Sequence, residues 1–157
     1  MQHVVASETI NVDQSVLWPL VADVTQIAHW HPTIASVDLL SSKPSGLQAA
    51  RRCHFKDGTS VREDLVALTE GRAVRFRLSE FSVPMKRLEL QIETAPAAQG
   101  ATQTTFTLHY EVKFGLLGRF LGATIMRMEL SKMVRRLLTG LSAYAEKTGE
   151  KRVAQAA

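Results

Sequence analysis

Apolar and polar residues alternate along most of this chain, and the alternation changes period near its end. Val4 to Val12 alternates Val4, Ala6, Glu8, Ile10 and Val12 against polar neighbours, which predicts a first strand. Asp13 and Ser15 are both N-cap candidates for a short helix carrying Val16, Leu17, Leu20 and Val21. A start at Ser15 keeps Pro19 near the first turn, where a missing N–H costs least. Asp23 followed by Gln26 has the form of a capping box for a second short helix reaching about Ala28. Pro32 forces His31 into an extended shape and ends that helix. Strands are predicted at Ile34–Leu40, Ala49–Lys56, Ser60–Leu68, Ala73–Glu80, Lys86–Thr94 and Gln103–Phe114, joined by turn clusters such as Lys43–Gly46, Asp57-Gly58 and Glu70-Gly71. From Ile125 the spacing becomes three and four: Met126, Leu130, Met133, Leu137, Leu141 and Tyr144 predict one buried helix face, with Arg127, Ser131, Arg135, Thr139 and Glu146 opposite.

The order is therefore strand, two short helices, six strands and one long helix. Strands joined by short turns pair antiparallel. The fold class is α+β, a curved seven-stranded antiparallel sheet whose inner face the long helix must cover. Three strands define that face: Val74, Phe76 and Leu78 oppose Arg75 and Arg77; Leu88, Leu90 and Ile92 oppose Arg87, Glu89 and Glu93; Phe106, Leu108, Tyr110 and Val112 oppose Thr107, His109, Glu111 and Lys113.

The hairpin around Asp57-Gly58 breaks this pattern. Cys53 and Phe55 set the inward parity of one strand, so Arg51 shares it; Val61 and Leu65 set that of the next, so Glu63 shares it. A two-residue loop would oppose inner and outer faces. A three-residue loop, Asp57 to Thr59, keeps them matched, setting Cys53 opposite Glu63 and Arg51 diagonal to it. An inward ion pair is costly to desolvate. It is either structural, or Arg51 holds a ligand's oxyanion or carbonyl while Glu63 accepts a proton.

Composition narrows the picture. At 157 residues, 45% of them hydrophobic and 22% charged, the chain suits one ordinary globular core. The expected domain is residues 1–149, with 150–157 a disordered tail. The single cysteine, Cys53, leaves no intramolecular disulfide and suits a cytoplasmic protein, while no signal peptide or spanning segment is visible. The net charge of +4 does not by itself imply nucleic acid. Arg52, His54, Lys56, Arg62, Arg75, Arg77 and Arg87 share the outer face, but without the stacking aromatics of a nucleic-acid binder. His29 and His31 flank Trp30 without an obvious third metal ligand, so neither metal nor cofactor is expected. Gly115, Gly118 and Gly122, among Leu116, Leu117, Phe120 and Leu121, form either a gate or a plain strand-to-helix turn. Arg119 and the shortness of that run argue against membrane insertion.

Trp30-His31-Pro32, Ala49-Ala-Arg-Arg-Cys53, Asp57-Gly58, Val61-Arg-Glu-Asp-Leu65, Phe114-Gly-Leu-Leu-Gly118 and Leu141-Ser-Ala-Tyr-Ala-Glu146, in this order, resemble the polyketide cyclase/dehydrase branch of the START-like (SRPBCC) superfamily. The resemblance implies the helix-grip fold of the birch-pollen allergen family, with an apolar cavity between sheet and long helix. In the more distant plant lachrymatory-factor synthases a catalytic arginine stands two before a cysteine, and a catalytic glutamate lies on the next strand. Arg51, Cys53 and Glu63 match that arrangement, although the substrate does not carry over. The expected function is binding of a small, mostly apolar ligand with a carbonyl or carboxylate, by a monomer or homodimer. Its cavity would be lined by Trp30, Cys53, Phe55, Phe76, Leu78, Met85, Leu90, Phe106, Leu108, Phe120, Met126, Leu130 and Met133. The alternative is a cyclase, dehydratase or isomerase with Glu63 as base, Arg51 as electrophilic group and Tyr110 as auxiliary proton donor. A third reading is an interaction module acting through the basic outer face.

Overall fold

Period-two alternation gives seven strands, and turn chemistry sets their order. The structure, a computed structural model, describes residues 1–113 and 121–157. Strands β1 (Gln2–Ile10), β2 (Ile34–Leu39), β3 (Ala50–Phe55), β4 (Ser60–Thr69), β5 (Ala73–Ser79), β6 (Met85–Pro96) and β7 (Thr102–Val112) form one antiparallel sheet in the order β1-β7-β6-β5-β4-β3-β2. Register shifts in β2, β4 and β6 supply the extra residues that bend a sheet. Helices α1 (Gln14–Ala22) and α2 (Ile27–Trp30) link β1 to β2, and α3 (Leu121–Ala156) follows β7. The core lies between the inner face, including Val4, Ile10, Val61, Leu65, Phe76, Leu90 and Phe106, and the buried stripe of α3.

The β3–β4 hairpin corrects the expected register. Its loop is Lys56–Gly58: Gly58 N–H donates to the Phe55 carbonyl at 3.0 Å, and Phe55 N–H to that of Thr59 at 2.8 Å. Gly58 has φ +87°, the left-handed conformation that closes a three-residue hairpin. The pairing therefore slides by two residues relative to the expected one. The faces are unchanged, but Arg51 now stands directly opposite Glu63, and Cys53 opposite Val61.

Several element ends also differ. Asp13 caps α1, accepting from Ser15 N–H at 2.8 Å, so the helix begins at Gln14 and Pro19 falls in its second turn. Burial of Leu17, Leu20 and Val21 holds this short helix. The expected capping box does not form: the Asp23 carboxylate accepts from the Thr25 backbone and hydroxyl, and α2 begins at Ile27. The expected tail from Glu150 continues α3 to Ala156, with exposed side chains from Glu150 onward.

The buried face of α3 is rotated from the expected stripe. Leu130, Val134, Leu137, Leu138, Leu141 and Ala145 are buried, whereas Met133 is 38% exposed and Met128 54% exposed. A stripe through Val134 and Leu138 extends at helical spacing through Leu130 to Arg127, which is itself exposed near the start of α3, while Met126 is partly buried against the core. The C-terminal half is pressed against α2, where Gly140 lies so close to the Trp30 carbonyl that an added Cβ would sit 2.2 Å from its oxygen. Most of the glycine-broken segment, including Phe120, lies outside the described residues.

Candidate functional site

One row of the inner face carries the site. Across adjacent strands Arg51 pairs with Glu63, Glu63 with Leu78, Leu78 with Leu88, Leu88 with Tyr110, and Tyr110 with Gln2. Arg51 and Glu63 therefore occupy one end, Tyr110 the other. Adjacent strands lie about 4.8 Å apart, so the four steps from Arg51 to Tyr110 amount to roughly 19 Å along the sheet.

The Arg51 end is closed. Arg51 is 2% exposed and Glu63 5%. Arg51 Nε donates to Glu63 Oε2 at 2.8 Å, and Nη2 donates to the same oxygen. Nη1 donates to the Val24 carbonyl at 2.8 Å, tying β3 to the α1–α2 turn. The guanidinium lies over Phe76, 4.5 Å from the ring centroid. The sequence showed the pair but not these last two partners, which belong to a distant turn and a neighbouring strand.

Cys53 is wholly buried beside the pair. Burial, then the Glu63 charge, pushes its thiol up to about 12, so it stays protonated and unreactive. His31 lies on the same side. Its Nδ1 accepts from Thr33 N–H at 3.2 Å, and its ring meets Phe55 edge-on at 5.8 Å. Burial first, then the Arg51 charge, lowers it from 6.5 to about 4. Between those values the unfolded chain binds a proton that the folded chain refuses. Stability therefore falls as pH drops from about 6.5 and levels off below about 4. The expected loss from pH 7 to 4.5 is on the order of 2 kcal/mol, absent in His31→Asn. Urea midpoints at the two pH values check this, and equal losses in both proteins would exclude His31 as the titrating group.

A cleft borders the Tyr110 end, where Tyr110 itself is 1% exposed. This cleft of about 480 Å³ is lined by Met1, by Gln2, His3 and Tyr110 from the sheet, and by Ala123, Thr124 and Arg127 from the first turns of α3. Burial raises the Tyr110 phenol above its ordinary value, and the Arg127 charge works against that rise. Tyr110 thus belongs with Arg127, away from the Arg51–Glu63 pair. Arg127 is the site residue that the spacing argument missed. Anchoring the stripe on Leu130, Val134, Leu138 and Leu141 would have found it.

The remaining candidates separate. Phe76, Leu90, Phe106, Leu108, Met85 and Leu130 are buried, and Phe55, Leu78 and Met126 are partly buried. Trp30 is buried: its Nε1 donates to the Leu20 carbonyl at 3.0 Å, and its ring meets Phe106 edge-on. His29 stacks on Tyr144 instead of turning with His31. Among the described residues no three His, Cys, Asp or Glu side chains converge as metal ligands. On the outer face most basic residues are already paired: Arg52 with Glu80, His54 with Asp38, Arg62 with Asp64, and Arg77 and Arg87 both with Glu89. Glu89, expected to be exposed, is covered and only 3% accessible. No described helix is long and apolar enough to cross a membrane.

Known proteins share this fold. A START superfamily protein from Mycobacterium smegmatis superposes with a TM-score of 0.75 at 14% identity, covering 92% of this chain and 97% of that one. Ginseng major latex-like protein 151 from Panax ginseng gives 0.69 at 15% identity, covering 92% and 97%. A protein from Thermus thermophilus gives 0.70 at 20% identity, covering 93% and 98%. These likenesses establish the fold as helix-grip. The sequence profile described as polyketide cyclase / dehydrase and lipid transport matches residues 1–146, and the chain belongs to that family. Comparison with curated proteins gives no significant match.

Proposed function

We propose that the chain binds a small, mostly apolar molecule carrying a carbonyl or carboxylate, held between the inner face and the first half of α3. The observation that carries this reading is the contrast between the two ends of the inner row. Arg51 and Glu63 satisfy one another at one end, while at the other a cleft of about 480 Å³, within the usual range for ligand pockets, borders the buried Tyr110. The family's lipid-transport description agrees with an apolar ligand.

A second reading is catalytic. Both Arg51 bonds fall on Glu63 Oε2, and Oε1 accepts no hydrogen bond among the described residues. That oxygen is the one placed to take a proton, with Arg51 holding the developing oxyanion. Binding is the better supported reading, because the guanidinium is already committed to Glu63, Val24 and Phe76.

The test is a titration of the purified protein with N-phenyl-1-naphthylamine, a neutral apolar dye, beside native mass spectrometry of freshly prepared material. Saturable 1:1 dye fluorescence or a retained small molecule is expected. With neither dye binding nor a retained molecule, the binding reading fails.

A further inference from the structure

We infer that the open cleft is a carboxylate site, in which Arg127 supplies the counter-charge and Tyr110 a hydroxyl donor for the acidic end of an apolar ligand. The inference rests on the binding reading above and moves the polar contact from Arg51 to the other end of the row.

Position is the first argument. Arg127 continues the stripe formed by Leu130, Val134, Leu138 and Leu141, all buried against the sheet. Arg127 itself is exposed, while Met126 beside it packs against the core. The arginine stands where α3 reaches the cleft, and lines it together with Tyr110.

Charge is the second. The cleft is lined by Met1 together with the Gln2 amide, the His3 ring, the Tyr110 and Thr124 hydroxyls and the Arg127 guanidinium, and its lining includes no carboxylate. Among the described residues no Asp or Glu lies within 4.0 Å of an Arg127 nitrogen, which is also true of Arg72, Arg75, Arg135, Arg136 and Arg152, whereas Arg51, Arg52, Arg62, Arg77 and Arg87 have such partners. The stretch 114–122 contains no Asp or Glu in its sequence. The chain therefore leaves this guanidinium without an acidic partner. One planar guanidinium matches one carboxylate through two parallel hydrogen bonds. The inner-face residues next to Tyr110, its cross-strand partner Leu88 and Leu108 two positions along β7, are apolar and belong to the core.

The experiment displaces N-phenyl-1-naphthylamine from the full chain with dodecanoate and, separately, with 1-dodecanol, which has the same tail and no charge. Dodecanoate is expected to bind the wild type more tightly than the alcohol. Arg127→Gln should weaken dodecanoate at least about tenfold, the scale of a charge-assisted contact. The dye and the alcohol should stay within about twofold on the same scale. Arg127→Lys should restore part of the loss, and Tyr110→Phe should weaken dodecanoate alone by a smaller factor. Unchanged dodecanoate affinity in Arg127→Gln overturns the inference, as does an equal loss for acid and alcohol. If the wild type binds the dye and the alcohol but not the acid, the inference fails and the binding reading stands. If it binds none of the three, the binding reading fails and this inference with it.

Discussion

Glu63→Gln is expected to destabilise the protein by about 3–5 kcal/mol, the usual cost of leaving one partner of a buried ion pair uncompensated. The amide keeps the shape of the side chain and can still accept a hydrogen bond. It cannot balance a guanidinium that is 2% exposed and lies against an aromatic ring. Arg51→Ala should cost a comparable amount, leaving a carboxylate buried at 5% exposure. The double variant Arg51→Met/Glu63→Leu removes both charges and fills similar volume, so it should recover most of the loss. Urea denaturation at constant m-value measures all three. Equal destabilisation of the singles and the double would place the effect in packing around Phe76 and not in charge.

That double variant also separates the two functional readings. A folded protein without either charge still binds an apolar acid if recognition sits at Arg127. It has no base and no oxyanion group if catalysis sits at Glu63. The two ends of the inner row thus differ in chemistry as well as in access. At the closed end the charge is neutralised within the chain, and its bond to the Val24 carbonyl holds the α1–α2 turn against β3. At the other end Arg127 lines a cleft whose lining includes no carboxylate.

Much of this was legible in the residues. Period-two alternation is set by the pleat, so the inner face could be read strand by strand, and Arg51 and Glu63 stood out by parity alone. The register could not be read as well. Parity allows any shift of two, and only the left-handed Gly58 within a loop of Lys56–Gly58 selects between them. The α3 stripe escaped for a different reason. Met126 and Met133 fit one apolar track and Val134 and Leu138 another, and the packing partners decide which faces inwards. Met126 packs against the core and Arg127 is exposed, so the two tracks change over near the start of α3. Glu89 shows the same limit on the outer face: its outward position is as expected, but neighbouring arginines cover it.

Gly140→Ala is expected to destabilise the fold by about 3 kcal/mol, although alanine is the better helix former by about 1 kcal/mol. A methyl group there would lie 2.2 Å from the Trp30 carbonyl oxygen, and the obstacle is backbone, which no rotamer change can relieve. Either α3 shifts away from α2 or the end of α2 unwinds. Both disturb Trp30, whose indole N–H is bonded to the Leu20 carbonyl and whose ring packs on Phe106. Thermal and urea unfolding of the variant measure the cost, and tryptophan fluorescence reports whether Trp30 has moved. A stability equal to wild type would mean that the helices are not in contact at this point. The close approach also explains how one helix can serve two purposes. Gly140 fixes the C-terminal half of α3 against α2 and the core, while its first turns, carrying Thr124 and Arg127, form a wall of the cleft. Loosening the anchor should therefore weaken dodecanoate binding as well as stability, without any change to a residue that lines the cleft.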